Sequence, residues 1–163
     1  MLNERFRNTE PSSTLRINEI SNKLLDEGKN VYKFGLGQSP FPVPEILIET
    51  LKKNAYQKDY LNVSGLLKLR EVVAKYHSKK NLYNYSEDNV IIGPGSKELI
   101  FQCQMVTKMP LLLPKPSWVS YEPQAKILNK DVNWIETSKN TNWHLSANAL
   151  GDYCKNNKYK FIL

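Results

Sequence analysis

Between Ser12 and Glu27 the apolar residues Leu15, Ile20, Leu24 and Leu25 recur at near-helical spacing, and Gly28 follows where a helix would end. This predicts a first helix. The next stretch, "NVYKFGLGQSPFPVPEIL", predicts a short strand, then a glycine- and proline-rich loop. A second helix should begin near Pro44, with Glu45 in its first turn and "EILIETLKKNAY" as its body. In "LLKLREVVAKYHSKK" the residues Leu66, Leu69, Val72, Val73 and Tyr76 share one helical face, the clearest helix in the chain. From there strand and helix patterns alternate: strand "NVIIG", helix "SKELIFQCQMVTK", strand "LLLP", helix around "WVSYEPQAKILN", strand "DVNWIET", helix "SANALGDYCKNN" and strand "KYKFIL". Pro123 should make its helix start late or kink. This alternation predicts an α/β fold with helices around a mostly parallel sheet. No internal repeat and no obvious linker interrupts it.

Composition narrows the class without naming it. The 163 residues can bury roughly 70% of their unfolded surface as one domain. A hydrophobic fraction of 40% and a charged fraction of 24% suit a soluble globular protein, and no apolar run approaches the ~20 residues of a membrane span. The first residues lack an apolar core of signal-peptide length, which gives a cytoplasmic expectation. Cys103 and Cys154 stand apart without C-x-x-C spacing and read as reduced thiols. The net charge of +7 rests on nineteen lysines scattered along the chain among seventeen asparagines. Dispersed lysine of this kind decorates a solvated surface better than it forms a nucleic-acid interface.

The candidate chemistry begins at "NVIIGPGSKELIF", where β-branched residues break on Gly93-Pro94-Gly95 into a helix start. Such a turn bares backbone N–H groups at the positive end of a helix dipole and suits an anion, although a tight turn needs glycine for structural reasons as well. The turn is not G-x-G-x-x-G, because Glu98 holds the third glycine's place, and no G-x-x-x-x-G-K-S/T occurs. His77 and His144 have no cysteine or carboxylate at ligand spacing, so no metal site is expected. "LPKPSWVSYEP" puts Trp118 just past a strand end, where open α/β sheets bind ligands and a flat indole can face a flat ring. It could equally be a core tryptophan. Tyr60, in the loop "KDYLNVSG", could bond a phosphate or simply pack. The bare backbone at Gly35 and Gly37 suits a close ligand or a tight turn.

Taken together and in order, these four stretches resemble the N-terminal half of the fold-type I pyridoxal-phosphate (PLP) aminotransferases, class I/II. "GLGQSPFPVP" is similar to the family's L-G-x-G-x-P-D-F-x-x-P at Gly35, Gly37, Phe41, Pro42 and Pro44, while Ser39 and Pro40 depart from it. "DYLNVSGLLKLR" resembles Y-x-x-x-x-G-x-x-x-L-R at Tyr60, Gly65, Leu69 and Arg70. "GPGSKELIF" looks like the family's phosphate turn, and "PSW" stands where many members stack an aromatic on the cofactor ring. The likeness covers about Ser12 to Leu163. It implies that Ser96 and Lys97, following Gly95, hold the PLP phosphate through their backbone N–H groups, and that Trp118 stacks on the pyridine ring. Tyr60 would reach the phosphate of the neighbouring subunit, making a homodimer. Gly37 would offer its N–H to the substrate carboxylate.

The same likeness implies what lies outside the 163 residues. The family's N-P-x-N-P-T-G loop, its aspartate on the ring nitrogen, its Schiff-base lysine and its carboxylate-binding arginine all come further along. No catalytic residue is therefore expected in this chain, and none of its lysines stands in for the missing nucleophile. "TKMPLLLP" also lacks the Gly-Asp pair common before that strand. Residues 1–44 would be an N-terminal arm, small-domain segment and glycine-proline loop, and 45–163 the first part of the large PLP-binding domain. The expected function is an aminotransferase present as an N-terminal fragment, acting in its complete form on an amino acid and a 2-oxo acid. Other PLP reactions of the fold, such as decarboxylation or carbon–sulfur lysis, remain open on these residues, as does a non-catalytic binding module. The strand "KYKFIL" would leave an exposed apolar edge prone to aggregation.

Overall fold

The computed structural model describes residues 12–156 and 161–162. Two compact units make up the chain, Gly37–Ser96 and the sequence to either side of it.

The flanking sequence carries α1 (Ser13–Asp26), most of α4 (Ser96–Val106), β1 (Leu111–Lys115), α5 (Tyr121–Ile127), β2 (Val132–Glu136), α6 (Ala147–Asn156) and β3 (Phe161–Ile162). The three strands form a parallel sheet in the order β2-β1-β3. β1 is central, pairing from Leu111 opposite Val132 to Lys115 opposite Glu136, and from Leu111 opposite Phe161 to Leu112 opposite Ile162. Leu111, Leu112 and Leu113 have no exposed surface. A continuous apolar run, rather than an alternating one, is what a parallel strand needs when both its faces are covered. Ala125 of α5 joins Leu111 and Leu113 in the core, with Tyr121 and Val132 against them. Of the expected strand "KYKFIL", only Phe161 and Ile162 lie within the described residues.

Helix ends follow local chemistry. α1 stops in a Schellman motif: the N–H of Lys29 bonds the Leu24 carbonyl (3.0 Å) and that of Gly28 bonds Leu25 (2.9 Å). α5 closes the same way, with Lys130 N–H on Ala125 and Asn129 N–H on Lys126, and Asn129 takes φ 56°. Pro123 falls in the first turn of α5, where a missing N–H costs nothing, so the helix starts late and continues past it to Ile127. Lys130 then sends its ammonium back to the Thr107 carbonyl just beyond α4, to Thr107 Oγ1 (2.9 Å) and to the Met109 carbonyl (3.4 Å). Its partial burial holds the pKa below the usual lysine range.

In the Gly37–Ser96 unit, α2 (Glu45–Asn54) has Glu45 in its first turn and Lys52 and Lys53 in its last, matching the helix dipole. α3 (Leu67–Lys80) departs from expectation in its inner face. Leu66, Leu69, Val72 and Tyr76 are exposed, whereas Arg70 and Ala74 are buried. Arg70 can go inside because its Nη1 donates to the Glu87 carbonyl (2.9 Å) in a 3-10 turn at Glu87–Asn89. A buried guanidinium needs such a partner.

Two expected strands are absent. Residues 30–34 are irregular. At Val90–Gly93 no ladder forms, and the Ile92 N–H bonds the Ser64 carbonyl instead (3.0 Å). β-propensity makes a strand only where another strand lies alongside.

Candidate functional site

The site is built on the head of α4. Gly93-Pro94-Gly95 ends the extended run and Ser96 begins an 11-residue helix. The first N–H groups of an α-helix have no acceptor within it. Those of Ser96 and Lys97 bond no other described residue. Glu98, the acidic residue of this turn, has its Oε1 hydrogen-bonded by Gln102 Nε2 one turn further on (3.1 Å). A Cβ placed on Gly95 would meet no atom within 4 Å, and Gly95 is not in the left-handed region. Neither backbone conformation nor packing among the described residues demands a glycine here. The turn is open, with bare donors, and its chemistry fits a phosphate monoester.

The second component stands at the carboxyl end of β1. The Lys115–Pro116 peptide is cis, and Trp118 follows with about half its surface exposed (51%). Its carbonyl accepts the Tyr121 N–H (3.2 Å), which begins α5. The end of β1 is secured beside β2: Lys115 pairs with Glu136 (3.2 Å), and Thr137 Oγ1 donates to the Lys115 carbonyl (2.6 Å). Trp118 therefore hangs from a fixed strand end, at the edge where parallel α/β sheets place ligands.

A pair of glutamines joins the two components. Gln124 Nε2 donates to the Lys97 carbonyl (2.9 Å), and Gln124 Oε1 accepts from Gln104 Nε2 (3.0 Å). Gln104, in α4, is fully buried, and its own Oε1 has no partner among the described residues. Neither glutamine was foreseen from the sequence. A polar residue inside the apolar run "LIFQCQMV" is a signal for Gln104; nothing local marks Gln124.

The remaining candidates lie in the Gly37–Ser96 unit. Gly37 is exposed, and a Cβ there would also meet nothing within 4 Å. Tyr60 is fully exposed. Its loop is held by Gly65, at φ 98°, where a Cβ would come within 2.6 Å of Ile92 Cβ. So Gly95, Ser96 and Lys97 are consecutive and Lys97 and Trp118 are linked through α5, whereas Gly37 and Tyr60 lie elsewhere in the Gly37–Ser96 unit. Lys126 forms a surface pair with Glu122 (3.0 Å). Among the described residues no cluster of His, Cys, Asp or Glu could hold a metal, and no helix is long and apolar enough to cross a membrane. A concavity of about 560 Å³ along α2 beside Ile46, Glu49 and Thr50 is an open shelf on one helix with no convergent chemistry.

The family model for aminotransferase class I and II matches residues 23–163. An aspartate aminotransferase of Thermotoga maritima is 27% identical over 151 residues, 90% of this chain and 40% of that protein. An asparagine–oxo-acid transaminase of Streptococcus mutans is 27% identical over 168 residues, 99% of this chain and 42% of its own length. Among solved structures, the Thermus thermophilus aspartate aminotransferase with maleate superposes with a TM-score of 0.81 at 22% identity, covering 92% of this chain and 41% of that one. The Rhizobium meliloti aspartate aminotransferase gives 0.82 at 21% identity, covering 98% and 41%. These likenesses in structure establish the fold, and the chain spans about two fifths of the length of the relatives it matches. With a family model covering most of its residues, the chain belongs to the aminotransferases of class I and II, as an N-terminal portion of their fold.

Proposed function

We propose that this chain is the cofactor-phosphate and ring-platform portion of a PLP-dependent aminotransferase that moves an amino group between an amino acid and a 2-oxo acid. The observation that carries the reading is the open head of α4, unpartnered among the described residues, at a glycine that neither conformation nor described packing demands. When bound, PLP supplies an electron sink and a carrier for the amino group. The backbone N–H groups of Ser96 and Lys97 hold the phosphate in the helix dipole. Trp118 supports the ring, a stacking contribution of about 0.5–1.5 kcal/mol beyond area burial. Gly37 offers its N–H to the substrate carboxylate, and the exposed Tyr60 reaches the phosphate of a second subunit in a homodimer. Residues 1–44 serve as arm and loop and 45–163 as the start of the large domain, in a cytoplasmic enzyme. The lysine nucleophile belongs to sequence beyond these residues. The names of the relatives make aspartate the first amino donor to assay.

Two experiments test this. The DNA beyond the Leu163 codon, read in all three frames, should encode N-P-x-N-P-T-G and a downstream S-x-x-K, and the complete product should transfer nitrogen from aspartate to a 2-oxo acid. Finding neither motif contradicts the reading. Within the chain itself, Gly95→Ala should leave the melting temperature within about 2 °C, because its Cβ clashes with nothing. The same substitution should weaken binding of pyridoxamine 5′-phosphate several-fold; unchanged binding contradicts a phosphate at this turn.

A further inference from the structure

We infer that Gln124 is a positioning residue for the phosphate seat, locking and polarising the first turn of α4; this rests on the function proposed above. By helix geometry the Lys97 carbonyl already accepts the N–H four residues along. Gln124 Nε2 supplies a second donor to the same oxygen at 2.9 Å. A peptide whose carbonyl accepts an added hydrogen bond has a more polarised N–H at its other end. That N–H is Glu98's, the third residue of α4, which follows the Ser96 and Lys97 donors of the seat and like them has no acceptor inside the helix.

The bond also fixes position. Gln124 lies three residues after Tyr121, whose N–H bonds the Trp118 carbonyl, so one side chain ties the anion seat to the segment that bears the indole. Its Oε1 is in turn held by Gln104 Nε2 at 3.0 Å. Gln104 has no exposed surface and leaves its own Oε1 without a partner among the described residues. Packing alone would favour an apolar residue at such a point, because a buried unpaired acceptor is costly. The arrangement is understandable if the Gln104 amide is there to orient Gln124. The result is a directed chain from Gln104 through Gln124 to Lys97 and the phosphate seat.

The test compares pyridoxamine 5′-phosphate with pyridoxamine, which share the ring and differ by the phosphate; neither condenses with the chain's lysines. Binding to the 163-residue chain is followed by tryptophan fluorescence. Gln124→Met removes both bonds. Gln104→Leu adds no charge and removes the group that orients Gln124, so it carries the test if the methionine variant does not fold. Each variant should bind the phosphorylated ligand about fivefold more weakly than wild type, the scale of one hydrogen bond. Affinity for pyridoxamine should be unchanged, and the Glu98 amide proton should move upfield. Equal loss for both ligands would mark a merely structural role and overturn the inference. A wild-type preference for the phosphorylated ligand that survives in both variants removes the role of Gln124 and leaves the proposed function standing. A wild-type chain that binds the two ligands alike removes the seat itself, and the inference with it.

Discussion

At the scale of residues, two glycines of the recognised motifs have opposite reasons to be there. Gly65 is fixed by the fold: its φ of 98° and the 2.6 Å approach to Ile92 Cβ leave no place for a side chain. Gly65→Ala should therefore destabilise the chain by about 2–4 kcal/mol, combining left-handed strain with overpacking, and urea denaturation would measure it. Gly95 meets neither constraint, and the proposed phosphate is the reading that gives it a role. Lys130 supplies a residue-level pH test. With its folded pKa lowered by burial, the cost of burying its charge is fully present at neutral pH. As pH rises through the folded pKa towards the unfolded value, the folded chain releases its proton first and that cost is relieved. The stability of wild type relative to Lys130→Met should thus increase as pH rises from neutral towards 10.5. A difference that stays flat or falls over this range would contradict the assignment.

At the scale of elements, helices with caps and strands with partners were legible. The first helix was expected between Ser12 and Glu27 and runs Ser13–Asp26, because Gly28 marks its end in the sequence as it does in space. β1 and β2 were legible as apolar runs between turns. The runs at residues 30–34 and 90–93 carry the same local signal without a neighbouring strand among the described residues, and so stay irregular. α3 misled for a related reason. Periodicity finds an apolar stripe, but the stripe that is buried depends on what lies opposite, and the Glu87 carbonyl draws Arg70 inward. The end of α5 offers a direct check on cap chemistry. Asn129 sits at φ 56° in a Schellman motif, where glycine has no Cβ penalty. Asn129→Gly should stabilise the chain by about 0.5–1 kcal/mol, visible as a higher melting temperature, whereas Asn129→Ala should lower it.

At the scale of the whole molecule, the two units differ in how much they bury. Leu111, Leu113 and Ala125 form a core beneath the sheet, but in the Gly37–Ser96 unit only Gly65, Arg70 and Ala74 are buried. Large apolar side chains on α2, among them Ile46, Leu47 and Leu51, face solvent. Relatives about two and a half times as long have much more sequence with which to cover such faces. For the candidate site, short motifs with fixed spacing made Gly37, Tyr60, Gly95, Ser96, Lys97 and Trp118 the residues to propose. The Gln104–Gln124 link was hidden because it joins residues twenty apart whose individual positions carry no motif. The central claim is that the head of α4 and Trp118 together receive a ring bearing one phosphate. The most direct measurement is the ratio of pyridoxamine 5′-phosphate to pyridoxamine affinity in the 163-residue chain, read by tryptophan quenching with Trp118→Phe as control. The phosphorylated ligand should bind at least about tenfold more tightly, as expected for a dianion at a helix N-terminus, with quenching that disappears in the Phe variant. Equal affinities, or quenching that persists without Trp118, would contradict the claim.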